Sequence, residues 1–218
     1  MRVLLLILTA FISYALGSLN GAIIAARFVF RKDVRDYGSG NAGLTNYYRS
    51  FGIPGLAIVA GIDILKSVIA VLVGGALLGI ADAKLIGKLF AGFCLMMGHI
   101  YPAYYQFRGG KGVMCAYVTA FLVDWRVGLC CLIAFAVVVF FTHYVSLGSI
   151  IGTALCPLLM SAFGHEGLVC VLALLCALLV IVKHAENIVR LIGGTERKLR
   201  LVSRRRVRDK DSNTDTKT

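Results

Sequence analysis

Two short segments hold the residue types that grip phosphate. One is a lysine wrapped in glycine, Arg108-Gly109-Gly110-Lys111-Gly112; the other is Gly38-Ser39-Gly40-Asn41-Ala42-Gly43-Leu44-Thr45-Asn46, followed by Arg49. Glycine lets backbone N–H groups come close to an anion. Ser39, Asn41, Thr45 and Asn46 add side-chain donors, and the Arg49 guanidinium can offer a phosphate two parallel hydrogen bonds. The lysine segment is not a nucleotide P-loop, because Tyr105 stands five before Gly110 and Gly112 follows the lysine where Ser or Thr is needed. It is still a cation among glycines at the start of a helix, where the dipole and unpaired N–H groups favour an anion.

Two more polar segments belong with these. Tyr144-Val145-Ser146-Leu147-Gly148-Ser149 opens an apolar run, and serines there are ordinarily helix N-caps. His184, Asn187 and Arg190 fall on one face of a continuing helix. Asp63 and Lys66 lie one turn apart inside an apolar run, where isolated charges are costly. They read equally as an ion pair within the helix and as part of a cavity lining.

Several chemistries are excluded. The positions five after the four histidines are Tyr104, Gly148, Cys170 and Val189, so the HxxxxD acyltransferase arrangement is absent. No GxSxG nucleophile elbow occurs, and no carboxylate cluster suits a divalent metal. The seven cysteines all lie in apolar runs without a CxxC pair and read as small buried hydrophobes.

The four polar segments, residues 38–49, 98–112, 143–149 and 184–196, interrupt an otherwise oily chain. Of 218 residues, 59% are hydrophobic, and the mean hydropathy is +0.83. Apolar runs cover about residues 3–26, 53–80, 85–105, 113–123, 127–141, 147–163 and 168–182. Several are short of the roughly 17–25 residues of a perpendicular span. Residues 113–145 divide best at Asp124-Trp125-Arg126, because one continuous helix would bury both charges near mid-bilayer at about 2.5–3.5 kcal/mol each.

The predicted fold is therefore all-α, a polytopic integral membrane protein with seven transmembrane helices. Counting Lys and Arg after odd-numbered spans gives 18, against 4 on the other side. The positive-inside rule then puts the N-terminus outside, the C-terminus in the cytosol and all four polar segments on the cytosolic face. This topology also accounts for the net charge of +12 without a nucleic-acid partner. Residues 1–18 resemble a signal peptide, but the apolar character continues to Ala26, so a retained first span is expected. Residues 1–202 form the membrane domain, and residues 203–218 a basic tail expected to be disordered and to rest on anionic headgroups.

Read together, GSGNAGLTNYYR, GHIYPAYYQFRGGKGV, YVSLGSI and HAENIVRLIGGTE resemble, in order, the signature segments of the bacterial acyl-phosphate:glycerol-3-phosphate acyltransferases, the PlsY family. The resemblance covers about residues 1–200. Leu44 stands where the family's GATN run has alanine, and Ala185 where a basic residue commonly follows the histidine. It implies a multi-pass enzyme of the bacterial inner membrane that needs no cofactor. Such an enzyme moves a fatty acyl group from acyl phosphate to the 1-hydroxyl of sn-glycerol 3-phosphate, yielding lysophosphatidic acid and phosphate.

Carried over by position, the resemblance implies that Ser39, Gly40, Asn41, Gly43, Thr45 and Asn46, with Gly109, Gly110, Lys111 and Gly112, hold the acyl phosphate. Arg49, Ser146, His184 and Asn187 would hold glycerol phosphate, with Glu196 in support. Either His184 or the donor phosphate would take the hydroxyl proton. The alternative from a different class is a transporter of small phosphate esters, which would place its site near mid-membrane between internal repeats. No repeat is visible.

Overall fold

Asn20 divides the first apolar run. α1 (Arg2–Ser18) stops at Leu19, and α2 (Gly21–Phe30) restarts with the Asn20 side chain accepting from the Ile23 N–H at 3.0 Å. The structure, a computed structural model, describes residues 1–199, and all regular elements among them are helical. α3 (Leu44–Phe51) is a short amphipathic helix that follows the first polar segment. Then come α4 (Leu56–Gly79), α5 (Lys84–Ile100), α6 (Val113–Val123), α7 (Trp125–Thr142), α8 (Val145–Ala162), α9 (Gly167–Lys183) and α10 (Ala185–Ile192).

Among the described residues, five stretches are long and apolar enough to cross a bilayer: Arg2–Phe30, Leu56–Gly79, Lys84–Tyr105, Trp125–Thr142 and Val145–Ala162. α9 and α10 bend by 59° at their break and make a sixth if taken as one. At 11 residues, α6 is apolar but too short to cross alone. The expectation of seven spans thus meets five by length and a sixth in the bent pair, and rests on α6 for the last. The boundary at residue 202 and the tail from 203 lie outside the described residues.

α6 ends because Asp124 turns extended (φ −145°, ψ 113°) and at once becomes the N-cap of α7. Its carboxylate accepts from the Arg126 N–H at 2.9 Å and from Arg126 Nη2 at 2.6 Å, and meets His165 Nε2 at 3.0 Å. Hydrogen bonding from Arg126, against some burial and with help from His165, holds this carboxyl well below the usual range. One side chain thereby fastens the α6–α7 turn to the α8–α9 connection.

α5 lies centrally, packed against α1, α4, α6 and α9. Its crossing with α1 is a glycine contact. A Cβ on Gly17 would lie 2.1 Å from the Leu95 carbonyl oxygen, and one on Gly98 would lie 2.2 Å from that of Tyr14. Without hydrophobic force between helices in lipid, such close backbone approach is what holds them. Gly98→Val is expected to lower the thermal midpoint in detergent, since overpacking typically costs about 1–3 kcal/mol. Gly61→Ala, in open space, serves as the neutral control. Equal midpoints for the two variants would contradict this crossing.

Beside this bundle, a small core of Ala22, Ile23, Ala25 and Ala26 meets Val34, Ala42, Tyr47 and Val59. It carries the first polar segment at the edge of the bundle.

Candidate active site

Asn46 shapes the first polar segment from within. Its Oδ1 accepts the Ser39 N–H at 3.0 Å, while Nδ2 donates toward the carbonyls of Val34, Tyr37 and Asn41 at 3.2, 3.0 and 3.0 Å. The side chain is buried, and its hydrogen bonds serve the loop. Gly38 makes this possible: its φ is +65°, and a Cβ there would lie 2.2 Å from Asn46 Oδ1. Asn46 was expected to bind substrate, yet it borders the cavity mainly as the bracket of the loop.

The loop and the chain leading into it are tied to their surroundings at several points. Ala42 N–H donates to the Gly109 carbonyl at 3.3 Å, and Asn20 Nδ2 donates to the Ala42 carbonyl at 3.0 Å. Arg35, paired with Asp33 at 2.8 Å, reaches the Tyr105 carbonyl at 2.7 Å. Sequence reasoning did not assign Arg35 this role, because a basic residue after a span reads as an ordinary anchor.

A cavity of about 510 Å³ lies between the four polar segments. Ser39, Asn41, Gly43, Thr45, Asn46 and Arg49 line it from the first, and Lys111 and Gly112 from the second. Ser146 enters from the third, and His184, Asn187 and Glu196 from the fourth. Gly40, Gly109 and Gly110 do not line it. Their N–H groups donate to the carbonyls of Tyr37, Ile100 and His99 at 3.0, 3.1 and 3.0 Å, so they are not anion donors. Glycine is needed at 109 and 110 for close approach: a Cβ would lie 2.1 Å from the His99 carbonyl oxygen and 2.2 Å from His99 Nε2, respectively.

Glu196 is a hub within the cavity lining. Oε1 accepts from Ser146 Oγ at 2.9 Å and from Asn187 Nδ2 at 2.7 Å, and Oε2 accepts from Arg190 Nε at 2.9 Å. Burial opposes its charge, but these three donors outweigh burial and hold the carboxyl below its ordinary value. Asn187 Oδ1 in turn accepts from Lys111 Nζ. Lys111 and the fourth segment therefore form one network, closer than the expected division between donor and acceptor sites. Burial, partly offset by Glu196 and reinforced by Arg190, lowers Lys111 to about 8.

His184 sits at the bend between α9 and α10 with Nδ1 2.7 Å from the Val180 carbonyl oxygen. A carbonyl only accepts, so the proton resides on Nδ1 and Nε2 keeps its lone pair. Arg49, on α3, reaches the Arg197 carbonyl at 2.9 Å and closes the rim. Val113, Met114, Leu132 and Phe135 give the same cavity an apolar lining. Cations and hydrocarbon lining one cavity suit an amphiphile with an anionic head.

Asp63 and Lys66 form a buried ion pair at 2.8 Å, and Asp63 also borders the cavity, so both readings of this pair hold. His99, which the sequence gave no role, joins them through Nδ1, 2.9 Å from Lys66 Nζ. Its only sequence signal was its place beside the glycine-wrapped lysine.

Residues 7–194 match the family described as glycerol-3-phosphate acyltransferase. The glycerol-3-phosphate acyltransferase of Thermoanaerobacter pseudethanolicus (strain ATCC 33223 / 39E) is 40% identical over 193 residues, 88% of this chain and 95% of that relative. That of Clostridioides difficile (strain 630) is 40% identical over 203 residues, 91% and 98% of the two chains. Among solved structures, PlsY (YgiH), described as an integral membrane glycerol 3-phosphate acyltransferase in its glycerol 3-phosphate form, superposes with a TM-score of 0.81. It is 30% identical and covers 89% of this chain and 96% of its own. The lysophosphatidic acid form of PlsY gives 0.79 at 29% identity, covering 90% and 96%. A multi-pass helical fold with four polar segments around one anion-suited cavity thus coincides with likeness along nearly the whole length of these relatives, and the chain belongs to the glycerol-3-phosphate acyltransferase family.

Proposed function

We propose that this protein transfers a fatty acyl group from acyl phosphate to the 1-hydroxyl of sn-glycerol 3-phosphate, giving lysophosphatidic acid and inorganic phosphate, the first acylation of phospholipid synthesis. The observation that carries this reading is one cavity lined both by Arg49, Lys111 and Arg190 and by Val113, Met114, Leu132 and Phe135. Both substrates bring phosphate to the cations, and the acyl chain requires the apolar lining. Acyl phosphate is a mixed anhydride, already activated, so no covalent enzyme intermediate is needed.

In the reaction, the acceptor oxygen attacks the acyl carbon, and the bond from that carbon to the phosphate oxygen breaks. Lys111, with Ser39, Asn41 and Thr45, holds the donor phosphate and offsets the charge it gains on leaving. Arg49, Ser146 and Asn187 orient the acceptor, with Glu196 fixing Ser146 and Asn187. The hydroxyl proton has two acceptors within this scheme, His184 Nε2 and the departing phosphate. The excess of basic residues after odd-numbered spans supports a cytosolic site in a bacterial inner membrane, with the N-terminus outside.

Purified protein given palmitoyl phosphate and glycerol 3-phosphate is expected to release one phosphate for each lysophosphatidic acid formed. Absence of acceptor-dependent product with any acyl phosphate would overturn the proposal.

A further inference from the structure

Lys66 is encircled by acceptors deep in the bundle. Its ammonium lies 2.8 Å from Asp63 Oδ1, 2.5 Å from the Leu19 carbonyl, 3.2 Å from that of Gly17 and 2.9 Å from His99 Nδ1. The ammonium has three N–H donors and no acceptor; its hydrogen bonds go to the Gly17 and Leu19 carbonyls and to His99 Nδ1, which therefore accepts through its lone pair, while Asp63 faces it as the ion-pair partner. A neutral imidazole that accepts on Nδ1 carries its proton on Nε2. Asp63 also takes the Gly21 N–H at 3.3 Å, so the cluster is anchored at the break between α1 and α2.

His99 Nε2 faces the second polar segment. It lies so close to Gly110 that a Cβ there would sit 2.2 Å away, and Gly110 directly precedes Lys111. The His99 backbone carbonyl binds the Gly110 N–H at 3.0 Å, fixing the loop to the same residue. The imidazole borders the cavity, and among the described residues Nε2 takes no protein partner. The neighbouring Ala42 carbonyl is engaged by Asn20.

We propose that His99 is a further substrate-binding residue, whose Nε2–H donates to the phosphate of the acyl donor, with Lys66 and Asp63 as positioning residues that fix its tautomer. This rests on reading the cavity as the acyl-phosphate site. A neutral donor beside Lys111 adds a direction to the phosphate without adding a charge to a buried site. It also gives the ion pair inside α4 a purpose that fold stability does not require, since apolar replacements of buried pairs are often neutral or stabilising.

The test has two arms. In steady-state kinetics, His99→Leu is expected to raise KM for palmitoyl phosphate by about tenfold or more, the size of a lost hydrogen bond to a charged group. KM for glycerol 3-phosphate should stay within about twofold. His99→Gln, which restores an N–H near the position of Nε2, should recover much of the loss, and Lys66→Met should reproduce it in part. An unchanged KM for palmitoyl phosphate in His99→Leu, or an equal rise in both KM values in His99→Gln, would sink the assignment.

The second arm needs no turnover. In protein labelled with 15N-histidine, the resonance lost in His99→Gln should show a protonated, pyrrole-type Nε2 and a pyridine-type Nδ1. A protonated Nδ1 overturns the proposal whether or not the protein acylates glycerol 3-phosphate. An inactive wild-type protein with the expected tautomer would instead refute the proposed reaction.

Discussion

Lys111→Ala is expected to reduce turnover by roughly 10²–10³-fold or more, the loss that follows removal of one preorganised stabiliser of developing charge. The protein should remain folded in detergent, because the lysine's partner in the structure is the Asn187 side chain, which Glu196 continues to hold. A pH signature accompanies this. Burial lowers Lys111 to about 8, with Glu196 opposing and Arg190 adding to the shift. The lysine is a cation below that value, so kcat/KM for the acyl phosphate is expected to fall as pH rises through about 8. Stability moves the other way. Between about 8 and the unfolded lysine value of about 10.4, the unfolded chain holds the proton more tightly than the folded one. The contribution of Lys111 to stability therefore increases with pH across that window. Midpoints of wild type and Lys111→Met, compared from pH 7 to pH 10, should show wild type gaining on the variant. Full activity in Lys111→Ala would remove the residue from the site.

Glu196→Gln is expected to raise KM for glycerol 3-phosphate by about tenfold or more, with a smaller effect on KM for the acyl donor. One carboxylate accepts from Ser146, Asn187 and Arg190. An amide has a single oxygen and would turn an NH₂ group toward at least one of those donors. Glu196→Ala should add a stability loss of about 1–3 kcal/mol, because buried donors are left without an acceptor. That loss separates the hub from Lys111, whose removal is expected to spare the fold. Wild-type affinity for glycerol 3-phosphate in both Glu196 variants would detach the hub from the acceptor site.

Much of this was legible because lipid makes polarity informative. In an apolar chain, a donor-rich segment is conspicuous, and the four segments that the sequence singled out do line one cavity. Asp124 and Arg126 marked a chain break by their cost in hydrocarbon, and the break lies there. The interruption at Leu19 and Asn20 was hidden, since residues 3–26 read as one apolar run. It depends on an asparagine that caps one helix while reaching Ala42, a contact outside local sequence. Gly109 and Gly110 misled for a related reason. Glycine signals close backbone approach, but not whether an anion or a neighbouring carbonyl makes it, and here carbonyls of Ile100 and His99 do. His99 escaped notice because its partner Lys66 is far away in sequence, where only folding brings a buried ammonium to an imidazole.

Asn46 gives its hydrogen bonds to its own loop, and the consequence is thermodynamic. The cost of ordering residues 37–41 is met during folding, so a phosphate arriving there finds Ser39 and Asn41 already in place. Association then loses little conformational entropy in the protein, and more of each contact survives as affinity. A small headgroup with few atoms to offer gains most from such an arrangement.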